Sequence, residues 1–318
     1  MEKRYLTWNE VLREKFNGKV FKVPIDAGFD CPNRDGTVAK GGCTFCTVSG
    51  SGDMIIAPEA PLPVQFKKEV DAMHQKWPNA KQYLVYFQNF TNTHAPVEVL
   101  RERYEQVLGE EGIVGVCIGT RPDCLPDETI EYLAELNERF YLWLELGLQT
   151  TYEHTSDLIN RAHDYQTYLD AVKRLRAKNI HVCVHLINGL PGETPEMMVE
   201  NVRRVICDSD IQSIKLHLLH LLKGTKMQKD YDQGRLRLMD QDEYVNVICD
   251  QLEIIPKDII IQRITGDAPW DSLIGPMWSR NKWEVLNAID AELERRDSYQ
   301  GKFDCRKEAK HAQNSTQI

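Results

Sequence analysis

The sequence predicts an α/β protein in which parallel strands alternate with helices. Three observations lead to this fold class. Short runs of β-branched and aromatic residues recur along the chain, and amphipathic segments separate most of them. From Tyr83 to Ser213, consecutive runs begin roughly 28 to 39 residues apart, about the length of a βαβ unit. Six or seven such units suit a complete or partial (β/α) barrel, or an open doubly wound sheet.

The predicted strands are Val23–Ile25, Tyr83–Phe87, Ile113–Gly119, Tyr141–Leu148, Ile180–Ile187, Ser213–Leu219 and Ile259–Ile264. The predicted helices are Pro63–Lys76, Pro96–Leu108, Asp127–Asn137, Gln166–Lys178, Pro195–Cys207 and Asp240–Glu253. Another helix is expected near the N-terminus, because Thr7 followed by Glu10 is a capping-box signature ahead of apolar residues. Asp127 is a predicted N-cap.

Composition limits the class of protein. The 318 residues carry a net charge of −9, which excludes a uniformly basic nucleic-acid binder but allows a local basic patch. No apolar run approaches the roughly 20 residues of a membrane helix, and no apolar signal core follows the first charges. The sequence therefore predicts a cytoplasmic protein without a membrane partner.

Three predicted strands carry polar residues with a period of two. In the strand 141–148, leucines alternate with Trp143, Glu145, Gly147 and, just beyond it, Gln149. The same alternation places His181, Cys183 and His185 on one face of a second strand, and Lys215 and His217 on one face of a third. Burying these polar groups without partners would cost roughly several kcal/mol of folding free energy in total. They must therefore pair with one another, with water or with a ligand. We expect them to line an interior cleft, although a self-paired barrel core remains an alternative.

The cysteine pattern carries the strongest signal for chemistry. Cys31, Cys43 and Cys46 follow the first predicted strand, with eleven and two intervening residues, and glycines between them allow a tight backbone path. Three thiolates leave one iron of an iron–sulfur cluster open to another ligand. Two other interpretations remain at this point, namely a zinc site with a distant fourth ligand and a redox cysteine pair.

This loop resembles the cluster loop of radical S-adenosylmethionine (SAM) enzymes, in a variant with wider spacing. Five further segments resemble the branch that contains the catalytic subunit of Elongator and the compact bacterial YtqA/YhcC (MnmL-type) proteins. They are Tyr86–Thr93, Gly119–Asp123, Leu144–Gln149, Asn160–His163 and His185–Thr194. The resemblance covers roughly residues 5 to 290 and implies a partial (β/α)6-type TIM barrel with short terminal extensions.

The resemblance also implies cofactors and ligands. Cys31, Cys43 and Cys46 would hold one [4Fe–4S] cluster, whose open iron would chelate SAM. Phe45 would flank the adenine, Gln88 and Asn89 would lie near the SAM amino group, and Arg121 and Asp123 near its carboxylate. Glu145 and Gln149 would contact the ribose, with His185 on the same inward face, and Gly189 and Gly192 would form the turn beside the adenine. Cys124 and Cys183 could touch the site, while Cys117, Cys207 and Cys249 fit apolar faces as core residues.

The resemblance further implies a tRNA substrate at wobble uridine 34. The implied reaction converts its carboxymethylaminomethyl side chain to aminomethyl, which a tRNA methyltransferase can then complete, with a flavodoxin or ferredoxin as electron donor. Basic residues accompany aromatic ones near both ends of the chain, as an RNA loop would require. They are Lys3, Arg4, Arg13, Lys15, Lys19 and Lys22 with Tyr5 and Trp8, and Arg280, Lys282, Arg295, Arg296, Lys302, Arg306, Lys307 and Lys310 with Trp278 and Trp283. Solvated helix faces and core tryptophans are the alternative for these sets.

Two other functions remain open, a radical SAM enzyme acting on a small metabolite or peptide, and a zinc- or thiol-based interaction protein without catalysis. The predicted organisation has four parts. Residues 1–20 form a helical extension, 21–225 the barrel core, 226–298 an α/β extension that completes or covers the barrel, and 299–318 a loose tail.

Overall fold

The computed structural model describes residues 3–47, 50, 55–267 and 270–307. Within these residues the strands are β1 (Val20–Ile25), β2 (Gln82–Phe87), β3 (Ile113–Thr120), β4 (Tyr141–Gln149), β5 (His181–Asn188), β6 (Ser213–Leu218), β7 (Leu221–Leu222), β8 (Ile260–Arg263) and β9 (Leu273–Gly275). The helices are α1 (Trp8–Phe16), α2 (Pro32–Asp35), α3 (Leu62–Lys76), α4 (Val97–Leu108), α5 (Asp127–Arg139), α6 (Glu153–Leu158), α7 (Tyr165–Ala177), α8 (Pro195–Asp208), α9 (Lys226–Asp232), α10 (Gln241–Ile254) and α11 (Lys282–Arg295). A 3₁₀ turn spans Met277–Arg280.

Over the described residues, the central sheet contains seven parallel strands in the order β1-β2-β3-β4-β5-β6-β8. Strands that are consecutive in this order are also consecutive in the chain, apart from β7, which lies outside the sheet. The sheet curls into a half-barrel. The predicted partial barrel is therefore confirmed. The chain ahead of α1 lies along the β8 edge, where the Ile261 amide donates to the Leu6 carbonyl at 2.9 Å.

Helices cover the outer face of this sheet. The even-numbered leucines of β4, at 142, 144, 146 and 148, are fully buried in the same apolar layer as residues of α4, α5 and α7. The predicted capping box of α1 is present, since Thr7 and Glu10 bond reciprocally. The predicted cap at Asp127 is wrong by one position, because Pro126 precedes the first helical residue and Asp127 begins α5 without a side-chain cap.

The inner face divides into an apolar floor and a polar upper part. Trp143, Cys183 and Cys117 are fully buried on the floor, and α1 closes it from below. Trp8 meets Trp143 edge to face at 4.9 Å, and His181 stacks on Trp143 at 4.8 Å. The polar character that the alternation predicted for this face therefore begins at the level of Glu145, one layer above these aromatic rings.

The chain after the barrel covers one side of it. β7 and β9 form an antiparallel pair, and α10 packs against both α8 and α11. Part of the segment 299–307, which we assigned to a loose tail, is packed: Gln300 bonds to the carbonyls of Pro256 and Ile259 at 2.7 Å, and Cys305 is buried. None of the described helices is both long and apolar enough to cross a bilayer.

Candidate functional site

The cysteine loop begins at the carboxyl end of β1. Cys31 is the N-cap of the short helix α2, and its carbonyl accepts from the Arg34 amide at 2.7 Å. The chain then turns at Gly42, which has a φ of 71° and donates its amide to the Asn33 carbonyl at 2.8 Å. A glycine is favoured there because other residues rarely adopt this left-handed conformation. The turn brings Cys43 and Cys46 back toward Cys31.

A second segment holds this loop in place. The Asn160 side chain donates to the Gly42 carbonyl at 2.8 Å, and the Asn33 side chain donates to the Asn160 carbonyl at 2.5 Å. The Thr44 amide also bonds to the Ile159 carbonyl at 2.9 Å. Asn160 has a φ of 53°, which asparagine tolerates better than most residues. The Asn160–His163 motif therefore docks the cysteine loop onto the barrel.

Two buried arginines place positive charge beside the thiols. The Arg121 guanidinium donates to the Arg161 carbonyl at 2.7 Å and forms a bidentate pair with Asp123. A hydrogen bond from Cys46, together with the charge of Arg121, lowers the pKa of Cys43 to about 7 even though burial opposes the shift. The same bond and burial raise the pKa of Cys46 well above its usual value. One thiol of the pair is thus readily ionised at neutral pH.

The three cysteines line one cavity of about 500 Å³, which opens at the carboxyl ends of the strands and continues into the barrel. Six of the predicted SAM ligands line the same cavity. They are Phe45, Gln88, Arg121, Glu145, Gln149 and His185. Carboxyl ends of strands are where (β/α) barrels place their chemistry. The fold therefore brings these six side chains and the three cysteines together around one space.

The other four predicted ligands lie outside the lining. The Asn89 side chain donates to the Asp26 carboxylate at 2.5 Å, and Asp123 is held by Arg121. A Cβ on Gly189 would meet the Met239 sulfur at 3.2 Å, and one on Gly192 would face Leu158 at 3.6 Å. Contacts between SAM and any of the ten predicted residues, inside or outside the lining, remain predictions.

A charged cluster occupies the inner end of the cavity. The Glu145 carboxylate is completely buried and is bonded by Lys22, Lys215 and His185, the last at 3.0 Å. These side chains come from β1, β6 and β5, while Glu145 is on β4. Glu145, Lys22, Lys215 and His185 thus pair with one another across the barrel, which is one of the outcomes that the alternation allowed.

Burial and charge together set the ionisation of this cluster. Burial opposes ionisation of Glu145, but the charges of Lys215 and Lys22 hold its pKa well below the usual value. Burial lowers the pKa of Lys215 to about 8 and that of His185 to about 4. Burial also lowers the pKa of His217 well below its usual value. At neutral pH the two histidines are neutral, the carboxylate is ionised and the lysines are charged.

Known proteins with similar sequences indicate the family of this chain. The Radical SAM superfamily model matches residues 35–205, and the Radical_SAM C-terminal domain model matches residues 211–295. The uncharacterized protein YtqA of Bacillus subtilis is 61% identical over 302 residues, 95% of this chain and 93% of YtqA. The chain belongs to the radical SAM superfamily. Protein YhcC of Escherichia coli is 38% identical over 283 residues, 89% of this chain and 90% of YhcC.

More distant relatives bear on the branch of the superfamily. A tRNA uridine(34) acetyltransferase of Methanocaldococcus infernus is 25% identical over 175 residues, 54% of this chain and 32% of that protein. The solved structure of Elp3 from the same organism has a TM-score of 0.68 at 17% identity, covering 88% of this chain and 64% of the Elp3 chain. This structural likeness supports the fold, and the identity to YtqA and YhcC supports the radical SAM branch that the motifs indicated.

The radical SAM family implies a [4Fe–4S] cluster and SAM, and the residues present suit both. Three thiols face one cavity, and Arg121 and Arg161 lie near enough to Cys43 to act on its charge. Among the described residues, no group of three or more His, Cys, Asp or Glu side chains is arranged around a single ion position. A cluster does not require this convergence, because each thiolate binds a different iron. In the same wall, the Thr91 hydroxyl is buried without a hydrogen-bond partner among the described residues.

The structure corrects some sequence-based assignments. Lys22, which we placed in a surface patch, points into the barrel; its place between Phe21 and Val23 in a strand with period two could have revealed this. Three of the aromatic residues that we grouped with the basic sets also pack within the protein. Tyr5 is buried, Trp8 lies against the floor of the barrel, and Trp278 packs on Tyr244.

The predictions for the remaining cysteines are confirmed for some and wrong for one. Cys207 is exposed rather than part of the core, whereas Cys117 and Cys249 are buried as expected. Cys183 is fully buried on the barrel floor, and the buried Cys124 thiol faces the Asp123 carboxylate at 3.8 Å. Lys310 lies outside the described residues.

Proposed function

We propose that this radical SAM enzyme binds one [4Fe–4S] cluster through Cys31, Cys43 and Cys46, binds SAM beside it, and modifies the C5 side chain of wobble uridine 34 in tRNA. The proposed reaction converts carboxymethylaminomethyl uridine, SAM and water to aminomethyl uridine, glyoxylate, methionine, 5′-deoxyadenosine and a proton. The methylene carbon of the carboxymethyl group is oxidised to the aldehyde of glyoxylate, its C–N bond is hydrolysed, and the C5′–S bond of SAM is reductively cleaved. The observation that carries the proposal is that all three thiols line a single cavity which continues into a charged barrel interior. Cluster, cofactor and reacting side chain could all be accommodated in this space.

When bound together, the reduced cluster and SAM supply a 5′-deoxyadenosyl radical that abstracts a hydrogen atom from the substrate. The protein's own residues must hold the reactants in contact and exclude water. Phe45 offers a ring for the adenine, and Gln88, Gln149 and His185 offer polar groups in the same wall. Arg121 is directed toward the cysteines by its bidentate pair with Asp123.

Two observations support tRNA as the substrate. Distant relatives are named tRNA uridine(34) acetyltransferases. In addition, two tryptophans are exposed near the outer end of the cavity, Trp270 at 65% and Trp283 at 74%, with the Arg280 guanidinium 5.0 Å from the Trp270 ring. Lys282 reaches Asp267, which lines the cavity, at 2.6 Å. Exposed rings with adjacent cations suit the unstacked bases of an anticodon loop.

The cluster is tested by the Cys43→Ser variant after anaerobic reconstitution. We expect it to lose bound iron and sulfide and to form no 5′-deoxyadenosine from SAM with dithionite. Cys207→Ser is the matched control, because that thiol is exposed on α8 outside the cavity. Full iron content in the Cys43 variant would overturn the ligand assignment.

The substrate is tested by nucleoside mass spectrometry of tRNA from a deletion strain. We expect carboxymethylaminomethyl uridine to accumulate and aminomethyl uridine to disappear. Unchanged wobble uridines in that strain, with intact SAM cleavage by the purified protein, would refute the tRNA proposal and favour a small metabolite or peptide. A cytoplasmic location, a flavodoxin or ferredoxin as donor and a tRNA methyltransferase acting afterwards belong to the same proposal.

A further inference from the structure

The inner end of the cavity contains more positive than negative charge. Lys215 and Arg263 line this end together with Glu145, and Lys22, which is not a lining residue, bonds to the same Glu145 carboxylate. These three cations share that one carboxylate among the described residues of this end. Among the residues that the structure describes, one further carboxylate lines the cavity, that of Asp267, which is exposed and paired with Lys282. Across the described part of the chain, the Arg263 guanidinium has no hydrogen bond or ion pair. A surplus of two positive charges therefore remains inside the barrel.

The groups that could receive an anion lie next to one another. Lys215 pairs in register with Arg263 across β6 and β8, and both side chains line the cavity. His217 also lines it, with its ring 5.1 Å from that of His185, and its Nε2 atom is buried without a partner among the described residues. Tyr86 completes this wall, and the Lys215 ammonium lies 4.9 Å from its ring centre.

An arrangement of this kind is unfavourable unless something balances it. The Arg263 side chain is half-buried. Removing water from an unpaired charge is unfavourable, and charged groups retained in an interior usually bind a partner of opposite sign. A guanidinium with free donors is suited to bidentate recognition of a carboxylate or phosphate. Buried apolar residues around Trp143 form the floor beneath this wall in the described part of the chain, which favours the end of a substituent over a continuous strand as the bound anion.

We propose that Arg263, Lys215 and His217 form a subsite for a terminal carboxylate of the substrate. This inference rests on the proposed function for the identity of that carboxylate, which is the one on the carboxymethylamino side chain. Glu145 holds Lys215 in place and neutralises Lys22. In this arrangement SAM binds at the cysteine loop, and the substrate carboxylate binds at the charged cluster at the other end of the cavity. The carboxylate then anchors the uridine side chain so that its carbon atoms face SAM.

The kinetic test uses two anticodon stem-loop RNAs that differ in one group. One carries carboxymethylaminomethyl uridine and the other its uncharged carboxamide. We expect the wild type to show a KM about 10- to 100-fold lower for the carboxylate, the range of a charge-assisted hydrogen bond. Arg263→Gln should raise the KM for the carboxylate RNA by a similar factor with a smaller effect on kcat, and should leave the carboxamide RNA nearly unaffected.

Lys173→Gln is the control, because Lys173 is exposed on α7 away from the cavity. It should retain wild-type discrimination. Equal KM values for the two RNAs in the wild type, or unchanged discrimination in Arg263→Gln, would overturn the subsite while leaving the tRNA assignment intact.

A binding test separates failure of the subsite from failure of the proposed substrate. Calorimetry on the full chain without cluster or SAM uses N-methylglycine, its carboxamide and inorganic phosphate as probes. We expect N-methylglycine to bind the wild type at least tenfold more tightly than the carboxamide, and Arg263→Gln to lose this preference. This result would support the subsite even if no RNA is modified. Tighter binding of phosphate than of N-methylglycine, or binding of neither, would overturn the carboxylate assignment.

Discussion

Glu145→Gln isolates the contribution of the buried charge cluster to stability. Glutamine keeps the shape of the side chain but leaves Lys22 and Lys215 without their shared carboxylate. Breaking a buried ion pair costs about 3–5 kcal/mol, and we expect the lower value of about 3 kcal/mol because Lys22 retains 22% side-chain exposure. With an unfolding entropy of about 2.1 cal/mol/K per residue over 318 residues, the expected fall in Tm is about 4–5 °C.

Thermal unfolding of the cluster-free protein at pH 7, followed by circular dichroism, measures this change. Glu105→Gln is the control, since its pair with Arg139 is between a third and a half exposed and should contribute less than about 1 kcal/mol. Adding Lys215→Met to the Glu145→Gln background should recover part of the loss, with a coupling of at least about 1 kcal/mol. A Tm for Glu145→Gln within the range of the Glu105 control would refute the reasoning.

Three further predictions follow from the same contacts. The stability difference between wild type and Glu145→Gln should shrink as the pH falls below about 4, because a carboxylate with a lowered folded pKa loses its contribution as the pH falls through that value; a pH series of urea midpoints measures it. Asn160→Ala should reduce iron incorporation because its bonds to the cysteine loop are lost, whereas Asn179→Ala, which also removes a left-handed asparagine, should not; equal iron content in both variants would contradict the docking role. Trp143→Ala should destabilise by about 3–5 kcal/mol in urea unfolding, while Trp283→Ala should change stability by less than about 0.5 kcal/mol and weaken binding of an anticodon stem-loop, so unaltered RNA affinity would argue against that surface.

The period of two in the strands predicted both the sheet and its polar inner face, because alternate side chains of a strand must point to opposite sides. The same rule applied to β1 would have turned Lys22 inward, but a single lysine among other basic residues suggested a surface patch instead. The alternation could not show where polarity begins. That limit depends on α1, whose Trp8 closes the floor and makes the layer of Trp143 apolar.

Some of the site residues could be predicted from the sequence, and others could not. Local spacing sufficed for Cys31, Cys43 and Cys46, because a loop that binds one centre must carry its ligands close together in the chain. Spacing gave no sign that Asn33 and Asn160 bond across 127 positions, or that Arg263 stands beside Lys215. Asn89 and Asp123 have side chains of the type that a ligand site needs. In the structure, however, Asn89 is hydrogen-bonded to Asp26 and Asp123 is paired with Arg121.

The sequence alone determined the alternation of strands and helices, the membership of the three cysteines in one loop, and the need for buried polar groups to find partners. These follow from short-range geometry and from the cost of desolvating charge, which act wherever the residues occur. Only the tertiary structure decided that Lys22, Glu145, Lys215 and Arg263 meet in one place. Four different strands supply those side chains, and the curl of the sheet brings their inner faces together.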